Sequence, residues 1–310
     1  MASSLAGSAV PTAPVPPLGE RLQGHQLLGW RRRQLADGGR PADFDWLLDL
    51  AGGLAWAELQ HLRLKPQLSV VLRLRRPTLE ALWQRHLRTG EPLQYLVGVC
   101  PWRDLELAVA PGVLIPRQET EILVELAMGS VGAAAPPDLW ADLGTGSGCL
   151  AIALARALPA SSGLAVDLSP AALAQAAANL THHGLADRVL LHGGSWWQPL
   201  RPLWGRLPLV VTNPPYIPSP LLPQLDPTVR LHEPALALDG GVDGLVAIRE
   251  IVAVAPRALA PGGCLLIEHH HDQSPAVLAL LRQAGLDDVR ADRDLEGVLR
   301  FASARRPEDP

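Results

Sequence analysis

The chain has 310 residues, of which 48% are hydrophobic, and a formal net charge of −4 at pH 7. This length allows one large domain or a large domain with a small one, and the apolar content excludes a disordered chain. Because the chain is slightly acidic, it has no general electrostatic attraction to nucleic acid or to a membrane surface.

Cysteine usage and the N-terminus predict a cytoplasmic protein. Cys100, Cys149 and Cys264 are widely separated and lack metal-ligand spacing, so we expect free thiols in a reducing compartment. No apolar run reaches the length of a membrane span. Residues 1–17 contain four prolines and precede the first basic residue, Arg21. They are therefore predicted to be a disordered tail and not a signal peptide.

Residues 18–88 repeat apolar side chains at helical spacing with little sign of strands. A bundle of four or five short helices is predicted, and Pro77 with Thr78 marks the start of one of them. The bundle carries no compact site chemistry, so we expect it to serve in substrate recognition or support.

Residues 89–112 change character, because apolar residues alternate over 93–97 and again over 105–109. Alternation predicts two strands, and the segment between them predicts a β-hairpin, which we interpret as a linker between domains. Beyond it, Thr120 and two flanking glutamates mark the positive end of a further helix.

From about residue 137 the pattern switches to alternating strands and helices. This alternation predicts an α/β domain with a mostly parallel, doubly wound sheet, whose ligands bind at the carboxyl ends of the strands. The strands are predicted at residues 139–143, 163–167, 189–192, 209–212, 264–268 and 298–304. The helices are predicted at residues 149–158, 170–180, 245–259 and 277–284, and residues 306–310 are predicted to be a tail.

A glycine-rich segment, residues 142–148, joins the first of these strands to the first helix. Glycines let the backbone turn tightly and approach a ligand closely, although the loop alone is also compatible with a plain strand-to-helix turn. Cys149 occupies the position at which a dinucleotide fingerprint has its third glycine, and this weakens an NAD interpretation.

Asp167 lies 23 residues after Gly144, at the end of the second predicted strand. An acid at this place accepts hydrogen bonds from ribose hydroxyls, whereas the alternative role of helix cap is already filled by Ser169. No Walker lysine follows the glycine loop, so a nucleoside without a triphosphate is favoured. S-adenosylmethionine is the predicted cofactor.

The segment Asn213-Pro214-Pro215-Tyr216 follows a strand of apolar residues. Two prolines prevent both helix formation and further strand pairing, and a residue that precedes proline is biased to an extended conformation. The amide of Asn213 is therefore expected to project from a stiff turn beside the ring of Tyr216. Such a corner suits a planar amide or amino group.

Two further clusters leave alternatives open. Trp196, between Ser195 and Trp197, either flanks a bound adenine or belongs to an ordinary buried tryptophan pair. Residues 269–271 are three histidines at a strand end, where neighbours point to opposite faces and no further ligand has suitable spacing. We therefore predict no metal site.

Several motifs in a fixed order resemble the HemK/PrmC family, the protein-glutamine methyltransferases that modify peptide chain release factors. The likeness runs from residue 18 to 305 and is strongest from residue 90 onward. Gln118 stands where the family usually has proline, and His270 where it usually has glycine. The motifs are residues 90–95, 114–121, 144–148, 213–216, 233–238 and 261–263, Glu268 with Gln273, and residues 293–295.

This resemblance implies a helical N-terminal domain at 18–88, a β-hairpin linker at 89–112 and a seven-stranded Rossmann-like class I methyltransferase domain at 113–305. The catalytic residues that it implies are Asn213, Pro214 and Tyr216, which with Pro215 also bind the substrate. The implied S-adenosylmethionine-binding residues are Gly144, Thr145, Gly146, Ser147, Gly148, Asp167, Trp196 and Asn213.

The expected reaction is methylation of the side-chain amide nitrogen of the glutamine in the Gly-Gly-Gln motif of release factors. We expect a monomer that binds neither membranes nor, directly, nucleic acid. An adenine-N6 DNA or RNA methyltransferase is the closest alternative, but Lys65 is the only lysine and the arginines are dispersed. A non-catalytic binder of translation factors is a second alternative, opposed by the intact loop, Asp167 and Asn213.

Overall fold

The structure is a computed structural model that describes residues 19–131 and 137–308. The predicted tail at 1–17 and the last two residues lie outside this range. The chain forms two compact units that divide between Thr89 and Gly90. Residues 90–112, predicted as a linker, lie within the second unit.

The first unit is mostly helical, and its core contains the edge-to-face aromatic contacts of Phe44 with Trp30 and Trp83. It also contains two short antiparallel strands, which corrects the expectation of an almost strand-free segment. Each strand has only four residues and buries a single leucine, too short a pattern to reveal alternation. The elements are β1 (Glu20–Gln23), α1 (Gly24–Ala36), α2 (Pro41–Leu50), α3 (Trp56–Leu64), β2 (Ser69–Leu72) and α4 (Arg76–Thr89).

The second unit begins with helix α5 (Leu93–Val97), where the sequence predicted a strand, so that prediction is wrong. Pro92 precedes the helix and Gly98 ends it in the left-handed conformation, with φ 80°. These are helix start and stop signals, and they outweigh apolar alternation over only five residues. The predicted hairpin exists, but its strands are β3 (Val99–Trp102) and β4 (Leu105–Ala108).

Contacts that join the hairpin to the rest of the second unit include buried apolar side chains and the amide of Asn179. Trp102 and Leu107 belong to the same buried cluster as the large sheet. The side chain of Asn179 donates to the carbonyl oxygen of Ala108 and accepts from its N–H, and also donates to the carbonyl oxygen of Ser147 in the glycine loop. The hairpin and the glycine loop are thus held together.

The remaining elements form the alternating part of the unit, with 3-10 turns at Gln198–Leu203 and Ser219–Gln224. Burial of apolar side chains on both faces of the sheet makes its parallel strands almost continuously hydrophobic. The elements are α6 (Glu121–Ser130), β5 (Leu139–Leu143), α7 (Cys149–Ala157), β6 (Ser162–Asp167), α8 (Pro170–His182), β7 (Val189–Gly193), β8 (Leu207–Thr212), α9 (Pro227–His232), α10 (Ala235–Leu238), α11 (Val246–Ala258), β9 (Leu259–Glu268), α12 (Ser274–Gln283), β10 (Asp287–Arg293) and β11 (Leu299–Arg305).

The sheet has seven strands in the order β10-β11-β9-β8-β5-β6-β7, and only β11 runs opposite to the others, antiparallel to both of its neighbours. The predicted doubly wound, seven-stranded fold is confirmed. Strand β10 had no counterpart among the predicted strands, because this edge strand is charged and buries none of its residues completely. The chain reverses direction across the sheet between β5 and β8, which places a ligand crevice at their carboxyl ends.

Register aligns the ends of four neighbouring strands. Leu143 pairs with both Val166 and Thr212, and Thr212 pairs with Ile267. The residues that follow these positions therefore meet at one edge of the sheet. In the described ranges, no helix has both the length and the apolar character that a membrane span requires. Cys100, Cys149 and Cys264 are free thiols.

Candidate active site

The glycine loop is fixed to the neighbouring strand by its backbone. The N–H groups of Gly144 and Thr145 both donate to the carbonyl oxygen of Val166, at 2.8 and 2.9 Å. Gly144 has φ 81°, and a Cβ there would lie 3.2 Å from the Trp196 ring. Position 144 therefore requires glycine, both for the turn and for the close approach of the ring.

Asp167 lies beside this loop at the end of β6. Its two carboxylate oxygens accept hydrogen bonds from the N–H groups of Gly146 and Ser169, each at 2.8 Å. Burial raises the pKa of the carboxyl, while these backbone hydrogen bonds act in the opposite direction. The carboxylate is thus held rigidly and keeps lone pairs free for two neighbouring hydroxyls.

The two adjacent tryptophans lie in different surroundings, one in the cavity lining and one in the core. Trp197 is buried and donates its indole N–H to the carbonyl oxygen of Ile251, 2.9 Å away. Trp196 instead lines the cavity, has φ 45° and donates to Glu250 at 3.1 Å. A left-handed tryptophan is strained by about 1–3 kcal/mol, a cost typical of functional positions.

One cavity collects most of the predicted site residues. Gly148 is not among them, because it packs against Ala176, and Pro214 and Tyr216 also lie outside the lining. The lining residues Pro116, Arg117, Leu168 and Leu236 were not predicted from the sequence as site residues. The predicted residues that line the cavity are Gly144, Thr145, Gly146, Ser147, Asp167, Trp196, Asn213 and Pro215.

The residues present fit an adenosyl group. A fixed carboxylate suits the ribose hydroxyls, the rings of Trp196 and the side chain of Leu168 supply apolar faces, and Gly144 leaves room that a Cβ would fill. The loop carries no lysine for a phosphate chain. This donor and acceptor set matches S-adenosylmethionine better than a nucleotide triphosphate.

Asn213 stands next to the glycine loop. The carbonyl oxygen of Asn213 would lie 3.9 Å from a Cβ on Gly144. The Thr212 hydroxyl donates to the carbonyl oxygen of Leu143 at 2.6 Å, which joins the ends of β8 and β5. The side-chain nitrogen of Asn213 donates to the Thr120 hydroxyl oxygen at 3.0 Å, and among the described residues its side-chain oxygen has no hydrogen-bond partner and is available to a ligand.

Hydrogen bonds hold both the side-chain hydroxyl and the backbone carbonyl oxygen of Tyr216. Its hydroxyl donates to Glu268 at 3.2 Å, and its carbonyl oxygen accepts from the side chain of Gln273 at 2.9 Å. Burial raises the pKa of Glu268 to about 7, against hydrogen bonds from Thr120 and Tyr216 that lower it. Thr120 and Glu268 had no predicted role in the site, because only folding brings them to Asn213 and Tyr216.

Asp142 is a buried side chain that stabilises the glycine loop. It is completely buried and accepts a hydrogen bond from the Thr145 hydroxyl at 2.7 Å. Burial raises the pKa of Asp142 to about 7. Asp142 was quoted within the glycine segment but had no predicted role.

Arg117 and Glu233 close another side of the site. Glu233 is buried, forms an ion pair with Arg117 at 2.7 Å and accepts from the N–H of Ile115 at 3.2 Å. Arg117 is thereby held in the cavity lining.

The histidine run does not form one cluster. His269 is buried, whereas His270, His271 and Asp272 each have a potential ligand atom within 4.8 Å of the others. His270 already contacts the Asp272 carboxylate at 2.7 Å. The backbone of His270 is not in the left-handed region, so histidine replaces the usual glycine without strain. That this protein uses no metal stays a prediction.

The strand order, the glycine loop and the acid at the end of the next strand together define an S-adenosylmethionine-dependent methyltransferase of the Rossmann-like class. Residues 133–213 match the family model for ribosomal protein L11 methyltransferase (PrmA). The hMettl16 catalytic domain, solved in complex with MAT2A 3'UTR hairpin 6, shares the fold with a TM-score of 0.53 and 15% identity, over 78% of this chain and 86% of that chain.

Closer relatives identify the family. The release factor glutamine methyltransferase of Prochlorococcus marinus is 50% identical over 91% of this chain and 97% of its own length. That of Thermosynechococcus vestitus is 46% identical over 82% of this chain and 87% of its own length. The chain belongs to the release factor glutamine methyltransferase family, and the resemblance noted from its motifs is confirmed.

Proposed function

We propose that this protein transfers a methyl group from S-adenosylmethionine to the side-chain amide nitrogen of the glutamine in the Gly-Gly-Gln motif of peptide chain release factors. One observation carries the proposal most directly. The amide of Asn213 projects from a proline-locked corner beside the glycine loop, with its nitrogen engaged by Thr120 and its oxygen available.

A glutamine amide is a weak nucleophile, because its nitrogen lone pair is delocalised into the carbonyl group. The side-chain oxygen of Asn213 and the carbonyl oxygen of Pro214 would each accept one amide hydrogen. Two such hydrogen bonds fix the orientation of the nitrogen, so that its lone pair can point to the methyl group as planarity is lost.

Tyr216 is proposed to pack its ring against the amide plane. The electron-rich face of the ring favours positive charge that develops on the nitrogen. Its hydroxyl is bonded to Glu268 and its carbonyl oxygen to Gln273, so the ring has little freedom to turn away.

Bound S-adenosylmethionine supplies an electrophilic methyl group on a sulfonium. Asp167 is proposed to hold its ribose, Trp196 its adenine, and the loop residues Gly144, Thr145, Gly146 and Ser147 the segment between them. As the nitrogen–carbon bond forms, the carbon–sulfur bond of the sulfonium would break and its electron pair would stay on the sulfur of the departing S-adenosylhomocysteine. The nitrogen would then lose one proton to solvent, so no general base is needed before attack. Catalysis therefore comes from orientation and electrostatics.

The remaining features of the proposal concern the partner and the setting. Residues 18–88, predicted from the sequence as a helical domain, are proposed to help bind the release factor. The protein is proposed to act as a cytoplasmic monomer without direct binding to nucleic acid, since its substrate is a protein of translation and its net charge is −4.

The proposal is tested by incubating the full chain with a purified release factor and S-adenosylmethionine labelled in its methyl group, followed by mass mapping. The expected product carries one methyl group on the glutamine of Gly-Gly-Gln. A release factor with that glutamine changed to alanine is the matched control and should stay unlabelled. Label at another residue, or transfer to adenine in DNA or RNA with none to the release factor, would overturn the proposal.

A further inference from the structure

Two buried polar side chains lie behind the Asn-Pro-Pro-Tyr corner. Thr120, at the start of α6, is 2% exposed, and Glu268, at the end of β9, is 1% exposed. Thr120 accepts from the Asn213 side-chain nitrogen at 3.0 Å, and Glu268 accepts from the Tyr216 hydroxyl at 3.2 Å. The two side chains thus touch both functional ends of the corner.

The carboxylate of Glu268 keeps one buried oxygen unused. Glu268 Oε2 is buried and makes no hydrogen bond of standard geometry within residues 19–131 and 137–308. The Thr120 hydroxyl is the neighbouring donor that lowers the pKa of this carboxyl. An ionised carboxylate only accepts hydrogen bonds, so it draws the single hydroxyl hydrogen of Thr120 towards itself.

This arrangement gives the hydrogen bonds a direction. With its hydrogen turned to Glu268, Thr120 offers only a lone pair to Asn213, and the amide must present its NH₂ group to Thr120. The side-chain oxygen of Asn213 then faces the substrate. Without the carboxylate, the hydroxyl is free to donate to the amide oxygen. The terminal torsion of asparagine is broad and roughly two-fold, so the side chain can then turn over and oppose the substrate NH₂ with its own.

We propose that Thr120 and Glu268 are positioning residues that hold the Asn213 side-chain oxygen towards the substrate amide. The inference rests on the proposed function, since the substrate amide is the group that needs this acceptor. Neither residue touches the reacting atoms, and both act through Asn213 and Tyr216.

If Glu268 served only to pack the fold, its buried carboxylate would cost folding free energy without a compensating benefit. A buried carboxylate is expensive unless it is paired. The cation that lowers the pKa of this carboxyl, Arg300, is itself paired with Asp294 at 2.6 Å, and Glu119 adds like charge. An apolar or amide side chain of similar volume would pack in this place at lower cost. We therefore attribute the presence of an acid here to the fact that an ionised carboxylate only accepts hydrogen bonds.

The test compares isosteric variants of the full chain. Thr120→Val removes the hydroxyl with little change in volume, and Thr120→Ser keeps it. We expect Thr120→Val to lower kcat for release-factor methylation about 10- to 100-fold, less than the loss expected for a direct contact. KM for the release factor and Kd for S-adenosylhomocysteine should each stay within about threefold, and Thr120→Ser should restore kcat.

Glu268→Gln provides an independent measurement, because a carboxamide can donate a hydrogen bond to Thr120 and so removes the fixed direction. We expect a similar loss of kcat, and the double variant Thr120→Val with Glu268→Gln should lose much less than the product of the two single losses. A wild-type kcat in both single variants, or a loss confined to KM or to cofactor Kd, would overturn the inference. Failure of the wild-type chain to methylate a release factor would instead overturn the proposed function.

Discussion

Replacement of Asn213 by alanine removes the acceptor on which the proposed orientation of the substrate depends. The backbone carbonyl of residue 213, beside Gly144, is kept, and Asp167 and Trp196 are untouched. Loss of one preorganised contact lowers kcat by about 10²–10³, which corresponds to about 2.7–4 kcal/mol of transition-state stabilisation. The lost hydrogen bond to Thr120 costs about 1 kcal/mol of folding stability, so the variant should fold.

The assay measures single-turnover methylation of a release factor at saturating S-adenosylmethionine, together with calorimetric titration of S-adenosylhomocysteine. Asn213→Ala should lose turnover while its Kd for the cofactor product changes little. The reasoning is refuted if turnover at saturating cofactor remains unchanged, or if the variant loses turnover only because it no longer binds the cofactor.

The other predictions concern the cofactor site and two buried acids. Asp167→Ala should raise the Kd for S-adenosylhomocysteine and leave kcat at saturating cofactor nearly intact; an unchanged Kd in the same titration would remove Asp167 from the ribose site. Because the pKa of Glu268 is raised to about 7, kcat should increase with pH through this value as the acid ionises, and Glu268→Gln should lack that step in the pH profile. A profile of the same shape in both proteins would contradict the role of Glu268. Burial raises the pKa of Asp142 from 3.8 to about 7, so the folded state retains a proton that the unfolded state loses in this window. The free energy of unfolding should therefore fall as pH rises from about 4 to 7, by at most about 1.4 kcal/mol per pH unit from this group, and denaturant unfolding of Asp142→Asn should show a shallower fall.

Local signals in the sequence were sufficient for most of the sheet. Strand β8 is a run of apolar residues that ends at two prolines, and β5 leads directly into a glycine loop, so composition and punctuation agree at both places. Strand β10 was not predicted, because an edge strand with charged residues lacks an apolar pattern. Helix α5 was predicted as a strand because Leu93, Tyr95 and Val97 recur at every second position, although Pro92 and Gly98 set the ends of a helix.

The residues of the site also differ in whether local sequence signals reveal them. Asp167, Gly144 and Asn213 are found from sequence, because each follows a strand in a segment of distinctive composition. Thr120 and Glu268 are not, because their importance lies in hydrogen bonds to residues far away along the chain. Such contacts depend on the register that aligns β8 with β9, and this register is not encoded in any local pattern.

The most direct test of the central claim is a crystal structure of the protein with S-adenosylhomocysteine and a release factor that carries unmodified Gly-Gly-Gln. The account predicts that the glutamine amide nitrogen lies about 3 Å from both the Asn213 side-chain oxygen and the Pro214 carbonyl oxygen, on the side that faces the sulfur. A glutamine amide bound away from Asn213, or a sulfur that faces away from this corner, would contradict it.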